Sequence, residues 1–216
     1  MANFTINLVK LGNPSLDEPK ITDRLKEVFN AVITKGKVTA YQQTDVVWLQ
    51  DCPASVADDQ LLVYILKSRI DSLVSGYFKY NGPLDAGFTA WNNSVTSSEV
   101  FAASCTGNGP GVANMIFHES MHNKGHWTNA QLHPDGGLAA DTVSDQTALT
   151  QKNIDRMARV LAARHSQWTG GCAYMNDPLR GASNEFFQNR PDGQAVADAG
   201  AAVRGGSFLP GPRGVA

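Results

Sequence analysis

Val112-Ala113-Asn114-Met115-Ile116-Phe117-His118-Glu119-Ser120-Met121-His122-Asn123-Lys124-Gly125 is the stretch on which the reading of this chain turns. A helix advances about 100° per residue, so positions four apart stand one above the other on one face. His118 and His122 can therefore offer two imidazole nitrogens to one metal ion, at the roughly 2.0–2.1 Å that zinc prefers. Glu119 follows the first of them, where its carboxylate can serve as general base on a water that the metal activates. Val112, Ile116, Phe117 and Met121 anchor the helix, and Gly125 supplies its stop. The chain holds five histidines, so this HExxH pattern arises by chance only at roughly the one-in-a-hundred level, given ordinary residue frequencies.

Outward from this helix, Phe4-Thr5-Ile6-Asn7-Leu8-Val9 alternates as a strand does. Ile21, Leu25, Val28, Phe29, Val32 and Ile33 fall at helical spacing, with Gly36 as the stop. Val46-Val47-Trp48-Leu49 predicts a short strand. Ser55 and Asp58 resemble a capping box opening a long amphipathic helix with the stripe Leu62, Leu66, Leu73, Val74 and Tyr77. Residues 81–110, rich in Gly, Ser, Thr and Asn, read as strands and loops. Thr150 caps a third helix with Ile154, Met157 and Leu161 on its buried side, which His165 closes. From Gly181 the composition shifts to Gly, Pro, Ala, Asn and Arg. The expectation is a catalytic domain over 1–180 and a C-terminal extension over 181–216, in an α+β fold with a small mixed sheet and several helices.

Net charge is −2 and no basic block occurs, so a nucleic-acid partner is not expected. No apolar run approaches the length of a membrane span and no cleavable signal is legible. Synthesis in the cytoplasm is expected, with export by a non-classical or specialised route left open. Cys52, Cys105 and Cys172 are odd in number and lack CxxC spacing. They read as three reduced, mostly buried thiols, although one pair can still form.

His118-Glu119-Ser120-Met121-His122-Asn123-Lys124-Gly125 resembles the zincin superfamily of zinc metallopeptidases, and matches the HExxHxxG portion of the metzincin signature. The resemblance implies a zincin-like fold and one Zn2+ per chain, with His118 and His122 as ligands and Glu119 as general base. Gly125 would redirect the chain, and a peptide or protein would be the substrate. Metzincins carry a third histidine three residues past that glycine, where this chain has Thr128.

Catalytic zinc takes a third protein ligand and keeps an open position. His133, in Leu132-His133-Pro134-Asp135-Gly136-Gly137, follows a loop long enough to fold back and is preferred. Asp135 shares that loop, as a ligand or as the group that orients His133. Glu185, in Gly181-Ala182-Ser183-Asn184-Glu185, resembles the Asn-Glu ligand segment of gluzincins, though Asn189 stands where their aspartate usually follows. His126 would lie about 12 Å from His118 on a continuous helix and needs a sharp break at Gly125. Tyr174 and Met175 resemble the methionine-bearing turn under the metzincin metal, although a core methionine with a half-buried tyrosine is the preferred reading of the pair. Two other functions remain open: another zinc-dependent amide hydrolase, such as one acting on a peptidoglycan stem, and a non-enzymatic module that a metal stabilises.

Overall fold

In a computed structural model of the chain, residues 1–68, 86–91, 93–172 and 196–199 are described, the last of these as backbone alone. Phe4, Ile6 and Leu8 turn to one side of β1 (Ala2–Leu11), and Val9 and Leu11 to the other. The helical stripe of Ile21 to Ile33 is fully realised in α1 (Glu18–Lys35), whose N-terminus Asp17 caps by accepting from Lys20 N–H. Gly36 ends it, for a reason of space. A Cβ there would come within 2.5 Å of Ala158 Cβ, on a later helix that packs close by.

The sheet is mixed, as expected, with the order β2-β1-β3-β5-β4 and a short β6 beyond β4. β2 (Tyr41–Leu49), β3 (Leu61–Leu66) and β5 (Thr96–Phe101) continue β1 in parallel. β4 (Gly87–Trp91) runs antiparallel to β5, and β6 (Val196–Ala199) antiparallel to β4. Four helices accompany the sheet among the described residues: α1, α2 (Pro110–Gly125), α3 (Asn129–Leu132) and α4 (Gln151–Val160). This is a mixed α/β architecture, with parallel strands where a segregated α+β arrangement would have few.

The long helix expected from Ser55 and Asp58 is replaced by β3. All six of its residues are buried. Leu61, Val63 and Ile65 face the helices, while Leu62, Tyr64 and Leu66 face a second apolar layer with Phe101 and Trp168. A central strand covered on both faces reads as a continuous apolar run, and Leu62 and Leu66 then mimic helical spacing. Leu73, Val74 and Tyr77 lie outside the described residues.

The second layer also pairs Cys52 with Cys172 as a disulfide across 120 residues, leaving Cys105 free. The reading of three reduced thiols is thereby corrected. Folding brings together two cysteines whose spacing carries no signal, and the thiols no longer point to a reducing compartment. Thr150 caps α4 as expected, but α4 ends at Val160, so His165 does not close it. No described helix is long and apolar enough to cross a membrane.

One row across the sheet explains where α2 sits. Trp48, Leu8 and Val63 stand side by side, and the row continues into Ser98 and Thr89. Apolar side chains lie under α1, and hydroxyls appear under α2, where that helix carries its polar groups. Ser98 Oγ accepts from Asn123 Nδ2 at 2.9 Å, and Thr89 Oγ1 donates to Glu119 Oε2 at 2.6 Å. Residues 111–124 of α2 are buried on every face.

Candidate metal centre

His118 and His122 project from one face of α2, as the spacing predicts, and His133 folds back onto them. The ring centroids form a triangle of 4.9, 5.2 and 5.6 Å, and one nitrogen from each ring lies within 4.8 Å of the others. His118 Nε2 and His122 Nε2 are 3.0 Å apart. Two nitrogens sharing a tetrahedral zinc stand roughly 3.3 Å apart, so only a small adjustment separates this spacing from coordination.

The other nitrogen of each ring fixes the tautomer. His118 Nδ1 lies 2.9 Å from Leu138 O, His122 Nδ1 2.6 Å from Trp127 O, and His133 Nδ1 2.9 Å from an Asp141 carboxylate oxygen. These partners accept only, so each Nδ1 carries the hydrogen and each Nε2 presents a lone pair. Burial, then the neighbouring His133, pushes the His118 pKa down to about 3, against the Leu138 hydrogen bond. Burial, then His118, holds His122 well below the usual imidazole range. Burial also lowers His133, opposed by Asp141. The rings are neutral, and among the described residues His133 Nε2 is buried with no hydrogen-bond partner. Converging lone pairs in a largely buried site repel one another and favour a cation.

The loop that carries His133 is shaped by two glycines and one asparagine. Gly136 and Gly137 both take positive φ (67° and 57°), and a Cβ on Gly137 would come within 2.5 Å of Asn153 Oδ1. Asn153 Oδ1 accepts from Leu138 N–H and its Nδ2 donates to Gly136 O, which aims the Leu138 carbonyl at His118. On the other side, α2 ends where His126 takes the left-handed conformation, φ 47°. The redirecting turn is thus His126 and not Gly125. Gly125 instead makes room for the Trp127 ring, which would meet its Cβ at 2.3 Å.

The remaining candidates separate cleanly. His126 points away from the cluster, stacking between Trp91 and His165 and bonding Thr96. Asp135 neither joins the cluster nor orients His133, because Arg156 and Lys152 hold its carboxylate. Asp141 orients His133 instead. Sequence gave no sign of that role, since the pairing depends on the fold of the 133–141 loop. The backbone carbonyls of Trp127 and Leu138, and Thr89 beside Glu119, were equally invisible. Glu185, Tyr174 and Met175 lie outside the described residues. Among those described, the cluster has three donors and no fourth.

Glu119 is fully buried, and β4 presses on its carboxylate: a Cβ at Gly87 would stand 2.5 Å from Oε1. Compared with models of known protein families and with curated proteins, the sequence matches none.

Proposed function

We propose that the chain is a zinc-dependent peptidase of zincin-like architecture, with His118, His122 and His133 as ligands and Glu119 as general base. The observation that carries this reading is the convergence of three neutral imidazole Nε2 atoms, each locked by a partner on its Nδ1. Three imidazoles suit zinc, and three protein donors are the number a catalytic rather than a structural site supplies. When bound, zinc acts as a Lewis acid that polarises a carbonyl and makes water acidic near neutral pH. The chain's own part is to place a base beside that chemistry. Glu119 adjoins the first ligand in sequence, and Thr89 Oγ1 fixes one carboxylate oxygen by donating to it. Peptide as substrate rests on the resemblance of the helical motif to zincins, whose HExxH helix serves chiefly peptidases.

The test compares zinc content and peptide hydrolysis in the parent, His122→Ala and Glu119→Gln. The parent should hold about one zinc per chain, and His122→Ala should lose most of it. Glu119→Gln should keep zinc and lose hydrolysis by about a hundredfold or more. Equal hydrolysis by parent and Glu119→Gln, both folded and zinc-loaded, would remove the peptidase reading and favour a metal-stabilised module.

A further inference from the structure

Asn153 and Arg156 stand three residues apart on α4, the spacing that puts two side chains next to each other on one helix face. Asn153 bonds Leu138 N–H and Gly136 O, and so aims the Leu138 carbonyl at His118. Arg156 reaches the segments of the other two candidate ligands. Its guanidinium carbon lies 4.3 Å from the centroid of the Trp127 ring. Nη1 donates to Asp135 at 2.7 Å, and Nη2 donates to Gln131 O at 2.6 Å. The Trp127 carbonyl is the acceptor for His122 Nδ1, while Gln131 and Asp135 bracket His133 in sequence. One side chain thus bridges the turn that aims His122 and the segment that carries His133.

A cation beside a candidate cation site needs a reason to be there. After burial and the neighbouring histidines, the Arg156 charge is the last of the causes that lower His122. As a bare charge it would oppose a second cation nearby. Asp135 offsets that charge, its own side chain only 6% exposed and shared with Lys152. What arginine adds is shape. A guanidinium is planar, stacks on an aromatic face and directs its donors as a fork, so two hydrogen bonds fix its plane against Trp127. Lysine matches the charge and none of that geometry. The Trp127 ring also fills the space that a Cβ on Gly125 would take. Contacts with Gly125 and Arg156 together hold it, and its carbonyl stays 2.6 Å from His122 Nδ1.

We propose that Arg156 is a positioning residue for the metal centre: stacked on Trp127 and bonded to Gln131 and Asp135, it holds the His122 and His133 arms at the spacing a metal needs, despite its own repelling charge. This rests on the metal-binding part of the proposed function and not on peptide as substrate.

The experiment measures zinc affinity of the full chain by competition with a chromophoric chelator, in the parent, Arg156→Lys, Arg156→Met and Trp127→Leu. Arg156→Lys keeps the repelling charge and loses the stack and the fork. Its affinity should fall about tenfold, the low end for loss of a group that orients a metal-bound histidine. Arg156→Met loses the repulsion as well and should fall by less, about threefold. Trp127→Leu keeps the carbonyl and removes the platform, so in that background Arg156→Lys should cost no more than about threefold. Cobalt-substituted Arg156→Lys should also show shifted d–d bands, which report ligand geometry. Val9→Ala, in the apolar layer on the far side of the sheet, is the control for stability alone. Its urea midpoint should fall while zinc affinity and the cobalt spectrum stay as in the parent. Parent-like affinity in Arg156→Lys would overturn the proposal and leave the metal centre standing. Tighter binding in Arg156→Met would overturn it too, since a bare charge predicts that result. So would fully additive losses from Arg156→Lys and Trp127→Leu, because the first then does not act through the second. A parent that binds no zinc removes this inference together with the metal centre. Weakened zinc binding in Arg156→Lys, with no peptide hydrolysis by the parent, supports the positioning role and refutes the peptidase.

Discussion

Replacing Asp141 with alanine removes the partner of His133 Nδ1 found among the described residues and leaves the candidate ligand itself in place. The carboxylate oxygen lies 2.9 Å from that nitrogen, and the Asp141 side chain is 44% exposed. Loss of a group that orients a metal-bound histidine typically weakens metal binding by about 10–100-fold, or roughly 1.4–2.7 kcal/mol. Exposure puts Asp141 at the lower end, because water can take over the acceptor role. We expect zinc affinity to fall about tenfold in Asp141→Ala and less in Asp141→Asn, whose amide oxygen still accepts. Competition against a chromophoric zinc chelator at neutral pH reads this directly. Asp135→Asn is the control. Asp135 belongs to the same loop but is bonded to Arg156 and Lys152, so it should lower the urea midpoint and change zinc affinity much less. Parent-like zinc binding in Asp141→Ala, or a larger loss in Asp135→Asn, would refute the assignment of Asp141 as the orienting group.

Asn153→Ala strands a buried N–H at Leu138 and leaves Gly136 O without its donor; urea unfolding should show a loss of about 2–4 kcal/mol, and a loss under 1 would contradict the anchoring role. Replacing Cys52 and Cys172 by alanine frees a loop of 120 residues; chain entropy sets an upper bound of about 5 kcal/mol on the lost stability, while zinc content should not change. An unfolding midpoint indifferent to reductant would show that the bond is not formed. Burial, then His165, pushes the His126 pKa from the usual 6.5 down to about 4. A lowered folded-state value means that its contribution is complete above pH 6.5 and is lost as pH falls through 4. His126→Asn, which tolerates the left-handed backbone, should make the acid limb of stability against pH shallower, and superimposable curves would argue against it.

The parts of the molecule legible in sequence are those where one local period meets one buried face. Phe4 to Val9, the stripe of α1 and the Thr150 cap each state their structure in a few residues, because a single apolar face or one hydrogen bond decides it. Leu61–Leu66 is illegible for the opposite reason: with both faces covered it has no period to read. The site divides the same way. The His118/His122 pair is a helical spacing, and His133 follows from how far a loop can reach. Asp141, Leu138 O and Trp127 O depend on where loops stop, and the disulfide depends on two segments meeting on the far side of the sheet.

The orientation of the histidines separates a ligand cluster from a histidine-rich core. A core histidine gains stability by satisfying both nitrogens within the protein, since an unpaired buried polar group costs about 1–3 kcal/mol. Here each Nδ1 is satisfied from a different segment, by Trp127 after α2, by Leu138 in the glycine turn and by Asp141 beyond it. The Nε2 atoms are turned towards one another instead, 3.0 Å apart for His118 and His122. Rotating any ring to spare that contact would break its Nδ1 hydrogen bond. The surrounding chain therefore holds the repulsion in place, through two glycines at positive φ and a fully buried Asn153. Apolar side chains of similar volume would pack the same space without that cost. A cation that accepted all three lone pairs would turn the repulsion into binding.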